Sequence, residues 1–513
     1  MHLTDEAARF HPDPALAQWL AEVVQPLLDR GAQELTLAQM KIQALVLELA
    51  HLKRMRFGKK AEAFGPEQRE LFEESVASDL AALEAQLEAL QAPRPAAPRQ
   101  PSGRQRLPEH LPRIEHRHEP ESCTCAACGQ ALSLIGEDVS EQLDVEPARF
   151  FVHRHIRPQY ACRGCETVQA APLPGAVIEG SLAAPGLLAW VVTQKYLDHL
   201  PLYRVEAISA RAGVPIARST QAAWVGRIGV ALAPLAQRLA ERLKESAALH
   251  ADETPVPQLD PGRGSTRRAT LWAYRNNTLA QGPPIVVFDY QASRSGEHAK
   301  TFLEGWAGAL MVDDYAGYKA LFRSGEIIEL ACWAHARRKF FELQAQSAHP
   351  LAAAALIKIG ELYAIEREAQ GFTSEARAAL RAHAALPRLE ALQAWLLATR
   401  STVAPGSGIA KAIDYSLKRW SALVRYAQGG HLPIDNNPIE NAIRPIAIGK
   451  KNWLFAGSEP AGKRAAALQT LLATATLNHL EPYAWLKDTL EKLPTWPNRR
   501  IDELLPLAEN IAQ

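Results

Sequence analysis

The chain has 513 residues, 47% of them hydrophobic, so it is too long for one ordinary domain and apolar enough to bury more than one core. Lys and Arg number 57 against 56 Asp and Glu, a net charge of +1, so overall charge names no polyanionic partner and only local charge can. The opening "MHLTDEAARFHPDP" lacks the order of a secretion signal, no run approaches the ~18 apolar residues of a membrane span, and six cysteines make no disulfide scaffold in this length. A soluble, cytoplasmic protein with no membrane partner is expected.

Residues 1–92 read as a helical, leucine-zipper region. Leu35, Ile42, Leu45, Leu49 and Leu52 fall on an a/d seam that ends in the basic "HLKRMRFGKK", and Leu80, Leu83, Leu87 and Leu90 repeat the pattern. Two helices folded on each other, or a coiled coil joining a homodimer or higher oligomer, both satisfy it. Residues 93–118, including "APRPAAPRQPSGRQRLPEHLPR", form a basic, Pro/Arg-rich linker: a tether, or an arm along DNA phosphates.

Residues 119–175 carry Cys125-x2-Cys128 and Cys162-x2-Cys165, two knuckles separated by 33 residues. Each knuckle turns two thiolates toward one tetrahedral ion. The alternating "SEQLDVEPARFFVHRHIRPQYAC" predicts a hairpin that brings them together. One structural Zn²⁺ in a four-cysteine site is expected; Cys123 is the alternative to Cys125, and Cys332 reads as a core residue.

Residues 180–240 are helical in pattern. "PLYRVEAISARAGVPIARSTQAAWVGRIG" suggests a helix-turn-helix-like DNA-binding region. Ala207, Ile208 and Ala212 would pack its first helix. Arg218, Ser219, Thr220 and Gln221 would open the second and face base edges. Plain helical packing fits the same pattern.

From 245 to 455 the pattern becomes β-β-β-α-β-β-α, which suits an RNase H-like mixed sheet covered by helices, with an α-helical insertion at about 345–430. The first and fourth strands of such a sheet lie side by side. Asp252 sits in the first, and Asp313 closes the fourth. Carboxylates at apolar strand ends need a compensating charge, and divalent metal supplies it. Glu440, in "DNNPIENAIRP", follows Pro438 at a helix start, with Asn436 or Asn437 as cap. Three such carboxylates can hold two Mg²⁺ (or Mn²⁺) about 4 Å apart for displacement at phosphorus. Arg444, Lys450 and Lys451, with Arg337, Arg338 and Lys339 of "HARRK", would hold DNA phosphates. A C-terminal helical domain would span 460–513.

"HADETPV", "VDDYAGY", "CWAHARRKF", "DNNPIENAIRPIAIGKKNWLFAGS" and "ALQTLLATATLNHLEPYAWLKDTLEKLP" resemble the transposases of the insertion sequence 66 family, a group of bacterial mobile elements with a DDE catalytic core. The resemblance extends over nearly the whole chain, "LKRMRFGKKAE" and the paired CxxC included. It implies the triad Asp252, Asp313 and Glu440. The family's second motif is Asp-Gly-Tyr-x-x-Tyr, and Asp314 stands here where Gly is usual, so Asp314 is the alternative to Asp313. The resemblance further implies binding to an element's terminal inverted repeats and to target DNA, strand cleavage and transfer beside the bacterial nucleoid, and accessory proteins of the same element. A nuclease that cuts without joining, and a non-catalytic DNA-binding regulator, are the competing functions. Multidomain α+β architecture is common to all three.

Overall fold

The computed structural model describes residues 111–119, 133–146, 149–260, 265–277 and 282–507, with isolated positions elsewhere. Most of the zipper seam (all but Ile42 and Leu45), most of the linker and the knuckle of Cys125 and Cys128, with Cys123, lie outside the described residues. One isolated position, Asp79, is buried in an ion pair with Arg464.

A first, small sheet precedes the helices. Its strands are β1 (Arg113–Arg117), β2 (Ser133–Glu146), β3 (Arg149–Ala161) and β4 (Val168–Ala170). The order is β1-β3-β2, with β4 on β3. β2 and β3 pair antiparallel with Ser133 opposite Ala161, so Cys162 follows β3 at the end of the sheet where β2 begins. Leu143, Val145, Phe150 and Val152 are among the buried side chains of this hairpin, with Phe151 and Ile156. One face carries four imidazoles in two close pairs, His116 with His153 and His118 with His155.

Four helices follow: α1 (Pro185–Tyr196), α2 (Leu202–Arg211), α3 (Arg218–Ala231) and α4 (Ala233–Leu243). α1 is buried without a break from Gly186 to Thr193, and a Cβ on Gly186 would stand 2.3 Å from Asp144 Oδ1. Only glycine lets β2 approach the helix that closely. In α2 the buried side is Leu202, Val205 and Ser209, spaced three and four apart, whereas Ala207 and Ala212 are exposed. Of the three residues expected to pack this helix, Ile208 lies against the core, whereas Ala207 and Ala212 do not.

The second sheet is built from β5 (Ala248–Gln258), β6 (Arg267–Asn276), β7 (Val286–Gln291), β8 (Gly308–Val312) and β9 (Ile327–Ala331), with α5 (Gly296–Phe302) between β7 and β8. Its order is β7-β6-β5-β8-β9. β5 and β8, first and fourth in sequence, are parallel neighbours, with His250 opposite Met311.

After β9 come α6 (Trp333–Ser347), α7 (Pro350–Glu368), α8 (Ser374–Leu380), a π-helical turn at Arg381–Ala385, α9 (Leu386–Thr402), α10 (Gly408–Lys418) and α11 (Trp420–Val424). They bury their own core, around Trp333, Phe340, Leu362, Leu389, Ile413 and Trp420. α6 shares this core with the helices that follow it. The chain returns through α12 (Asn437–Trp453), α13 (Glu459–Leu477) and α14 (Pro482–Lys492). One core joins Leu187 and Val191 of α1, Ile228 of α3, Leu249, Trp272 and Leu310 of the sheet, and Leu468 and Leu472 of α13. The helices expected as separate units at 180–240 and 460–513 share that core with the sheet.

Arg381 ties the insertion to the returning chain. It is 0% exposed. Its Nε and Nη2 donate to Glu366, and Nη1 donates to the carbonyls of Tyr426, Gly429 and Leu432. Arg381→Met leaves Glu366 and three carbonyls without their donor. The expected loss is about 3–5 kcal/mol in urea unfolding; a change under about 0.5 kcal/mol, the size of an ordinary surface substitution, would contradict this role.

Candidate active site

Three elements bring the carboxylates together. His250, Asp252 and Thr254 alternate onto one side of β5. α12 lies on that side: Asn436 meets His250, and Lys450 donates to Thr254 Oγ1 at 3.3 Å. Asp313 follows the last residue of β8, the strand beside β5. Glu440 lies in the first turn of α12. The Asp252 carboxyl is pushed up to about 7, first by burial and then by the charges of Glu253, Asp313 and Glu440. Among the described residues neither Asp252 nor Asp313 forms an ion pair; each accepts a backbone N–H, from Glu253 at 2.9 Å and Tyr315 at 2.8 Å. Glu440 stands 3.6 Å from His335 Nδ1 and 3.7 Å from Arg338, and its buried Oε1 has no hydrogen-bond partner. Asp314 faces elsewhere, toward Lys319 at 3.4 Å and Arg419 at 3.7 Å.

His250, Glu253 and Asn436, the last expected only as a helix cap, fix this arrangement. Asn436 is fully buried. Its Oδ1 meets His250 Nδ1 at 3.0 Å, its Nδ2 donates to the Ala251 carbonyl at 2.9 Å, and its backbone N–H donates to Cys332 Sγ at 3.2 Å. Burial holds the His250 imidazole down at about 4, so it is neutral in this contact. Asn436 holds the N-cap position of α12, as expected, but its side chain makes no capping bond because it is committed to β5. Asp435 instead accepts the first helical N–H, from Asn437 at 3.1 Å. On the opposite side of β5, Glu253 is neutralised by Arg294 and accepts from Tyr318 Oη at 2.8 Å. The available signal was local: His250 and Glu253 are polar residues flanking Asp252 in an apolar strand.

Asp252, Asp313 and Glu440 offer hard oxygens, and among the described residues Asp252 and Asp313 have no cation of their own, which fits a hard divalent cation. Cys332, His335 and Glu440 also place ligand atoms within 4.8 Å of one another. Burial pushes the Cys332 thiol up to about 12, and its sulfur already accepts from Asn436. That trio does not fit a thiolate-ligated metal. In the small sheet, Cys162 is buried, and Glu166 at φ 56° turns the chain back so that its N–H reaches the Cys162 carbonyl at 2.9 Å. Cys165 lies in that tight turn, as a two-thiolate knuckle needs.

The cations lie on several surfaces. Arg337, Arg338, Lys339, Arg444 and Lys451 are exposed. Lys450 is half-buried and also donates to the Pro255 carbonyl at 2.9 Å. It shares a groove with Arg267, Arg268 and Lys451, and its ammonium is held below its usual value by burial and by Arg268. At the start of α3, Arg218 is half-buried and Ser219 exposed. Gln221 is corrected: it is 0% exposed and donates to the Ile216 carbonyl at 2.8 Å, so it cannot face a base. It is buried because Ala222, Trp224, Val225 and Ile228 turn that side of α3 into the core.

The family model described as "Transposase IS66 family" matches residues 180–464, more than half of the chain. The chain belongs to the IS66 transposase family. Three further models match around it: the zinc-finger binding domain of transposase IS66 at 122–166, "Transposase C of IS166 homeodomain" at 44–115, and the IS66 C-terminal element at 470–507. Two relatives come from Sinorhizobium fredii. Uncharacterized protein y4qI is 38% identical over 485 residues, 91% of this chain and 89% of its own length. Uncharacterized protein y4jD is 38% identical over 412 residues, 78% of this chain and 81% of its own. The IS66 models imply divalent metal in the core and zinc in the finger. No helix among the described residues is long and apolar enough to cross a membrane.

The raised Asp252 carboxyl gives this IS66 family member a pH signature. Its folded value, about 7, lies above the ordinary aspartate value of 3.8. Its contribution to stability in the absence of metal is therefore fully present below about 3.8 and lost as pH rises through about 7. Cation binding needs the charged form, so affinity rises across that window. The Mg²⁺-induced rise in melting temperature should be small at low pH and level off above about 8, and Asp252→Asn should flatten the profile. A wild-type shift independent of pH would contradict the placement of Asp252.

Proposed function

We propose that this protein is the transposase of its element: it cuts DNA at the element's ends and joins the freed ends to target DNA. The observation that carries this reading is the set of Asp252, Asp313 and Glu440, held together by three elements without an internal cation on Asp252 or Asp313. The strand order of the second sheet supports an RNase H-like core.

Asp252, Asp313 and Glu440 would hold two Mg²⁺ or Mn²⁺ ions. Those ions supply activation of an attacking oxygen and neutralisation of a departing one. The chain's own groups bring the substrate. Arg444, Lys450 and Lys451 hold phosphates along α12, and Arg337, Arg338 and Lys339 hold them along α6. In the first step water adds to phosphorus, and the bond to the 3′ oxygen at the element's end breaks. In the second, the resulting 3′-hydroxyl adds to a target phosphorus and displaces that strand's 3′ oxygen. Both are displacements at phosphorus, so one triad serves both.

The terminal inverted repeats would be held by the four-cysteine finger (Cys125, Cys128, Cys162, Cys165) with its one Zn²⁺, and by Arg218 and Ser219. The zipper region would join two or more copies on DNA, and accessory proteins of the same element would act with it. The compartment is the bacterial cytoplasm, at the nucleoid.

Cleavage and joining on DNA carrying the element's own ends test the reading. Asp252→Asn, Asp313→Asn and Glu440→Gln should each abolish cutting by several orders of magnitude while sparing end binding, and double variants should be hardly worse. Asp314→Asn should keep most activity. Normal cutting by all three triad variants would overturn the mechanism, and cutting without joined products would make the protein a nuclease.

A further inference from the structure

A cleft opens between α6 and α7, beside the first turn of α12. Arg337, Arg338 and Phe341 of α6 line one side, and Gly360, Tyr363 and Arg367 of α7 the other. Asn437, three residues before Glu440, closes one end, and Arg338 is the residue that stands 3.7 Å from Glu440. The cleft has a volume of ≈ 510 Å³, within the range of small-ligand clefts.

Three guanidiniums in one cleft repel one another unless an anion joins them. Arg337 and Arg367 form no ion pair among the described residues, and both are exposed. Phe341 is 51% exposed, with the Arg337 guanidinium 5.8 Å from its ring centroid. An exposed ring next to unpaired cations suits a ligand with a flat face and a phosphate. Glycine is the least favourable helix-interior residue after proline, yet Gly360 lies inside α7, where a Cβ would meet nothing within 4 Å. The missing side chain leaves the floor of the cleft open.

The geometry points to a site for one unpaired nucleotide of the DNA strand being cut, its base against Phe341 and its phosphate on Arg337 and Arg367. A paired base shows only its edge, so the base must leave the stack to reach the ring. This inference rests on the transposase reading and adds to it: the insertion takes part in recognising the strand next to the reacting phosphate.

The test uses the full-length, zinc-loaded chain without added Mg²⁺ and two labelled duplexes of one sequence, one carrying a single unpaired thymidine. Fluorescence anisotropy at fixed salt gives the ratio of their affinities. The bulged duplex should bind about tenfold tighter, the size of one base–aromatic stack. Gly360→Trp fills the cleft from a position with open space, and Phe341→Ala removes the exposed ring; each should bring the ratio close to unity. Reading the ratio separates the cleft from cations that the intact duplex also uses. Equal binding of both duplexes by the wild type, or an undiminished ratio in Gly360→Trp, would overturn the inference. Binding of neither duplex would overturn the DNA reading itself.

Discussion

The placement of Asn436 is the constraint on which the site depends. Its side chain holds His250 and the Ala251 carbonyl on the first strand, and its backbone N–H holds Cys332 where the last strand enters the insertion. These partners are 186, 185 and 104 residues away in sequence. An entire helical insertion therefore leaves the sheet and returns to one fixed point. Glu440 follows by one turn, so its position is inherited from that junction. Asn436 Oδ1 and Nδ2, His250 Nδ1 and the Ala251 carbonyl are all partnered there, and removing one would leave another unsatisfied at a cost of about 1–3 kcal/mol.

The two sides of β5 treat adjacent carboxylates in opposite ways. Glu253 is paired with Arg294 and Tyr318, and the Arg294 guanidinium lies 3.8 Å from the Tyr315 ring centroid. The Tyr315 N–H in turn holds Asp313 Oδ1. That side is neutralised and packed. The other side gathers Asp252, Asp313 and Glu440 with only His335 and Arg338 near Glu440. Uncompensated charge is expensive to hold, and here it is confined to the side where α12 and its cations run. Asp314, one residue from Asp313, is neutralised by Lys319 and Arg419.

Much of the sheet was legible because its strands carry strong signals: apolar runs bounded by turn residues, with carboxylates within or just after them. Asp252 and Asp313 stood out for that reason, and Glu440 because it follows Pro438 at a helix start ahead of a row of cations. Gln221 was misjudged because its burial depends on which side of α3 meets the core, a tertiary fact that an amphipathic pattern with alanines does not specify. Asn436 read as a cap because asparagine before a helix usually is one; the buried His250 that claims it lies far away in sequence. The helices at 180–240 and 460–513 each look self-contained, yet Leu187, Ile228 and Leu468 share one core with Leu249 and Leu310. The cleft under Gly360 gave no sequence signal beyond a glycine within a helix.

The central claim is that three carboxylates from distant parts of the chain share one cation site. Fe²⁺ substituted for Mg²⁺, with ascorbate and peroxide, cuts the polypeptide only where the ion is bound. The account predicts three sets of fragments, with breaks near Asp252, Asp313 and Glu440, all suppressed together by excess Mg²⁺ and by Asp252→Asn. Breaks confined to the Cys332–His335 turn and Glu440, with none near Asp252 or Asp313, would contradict it.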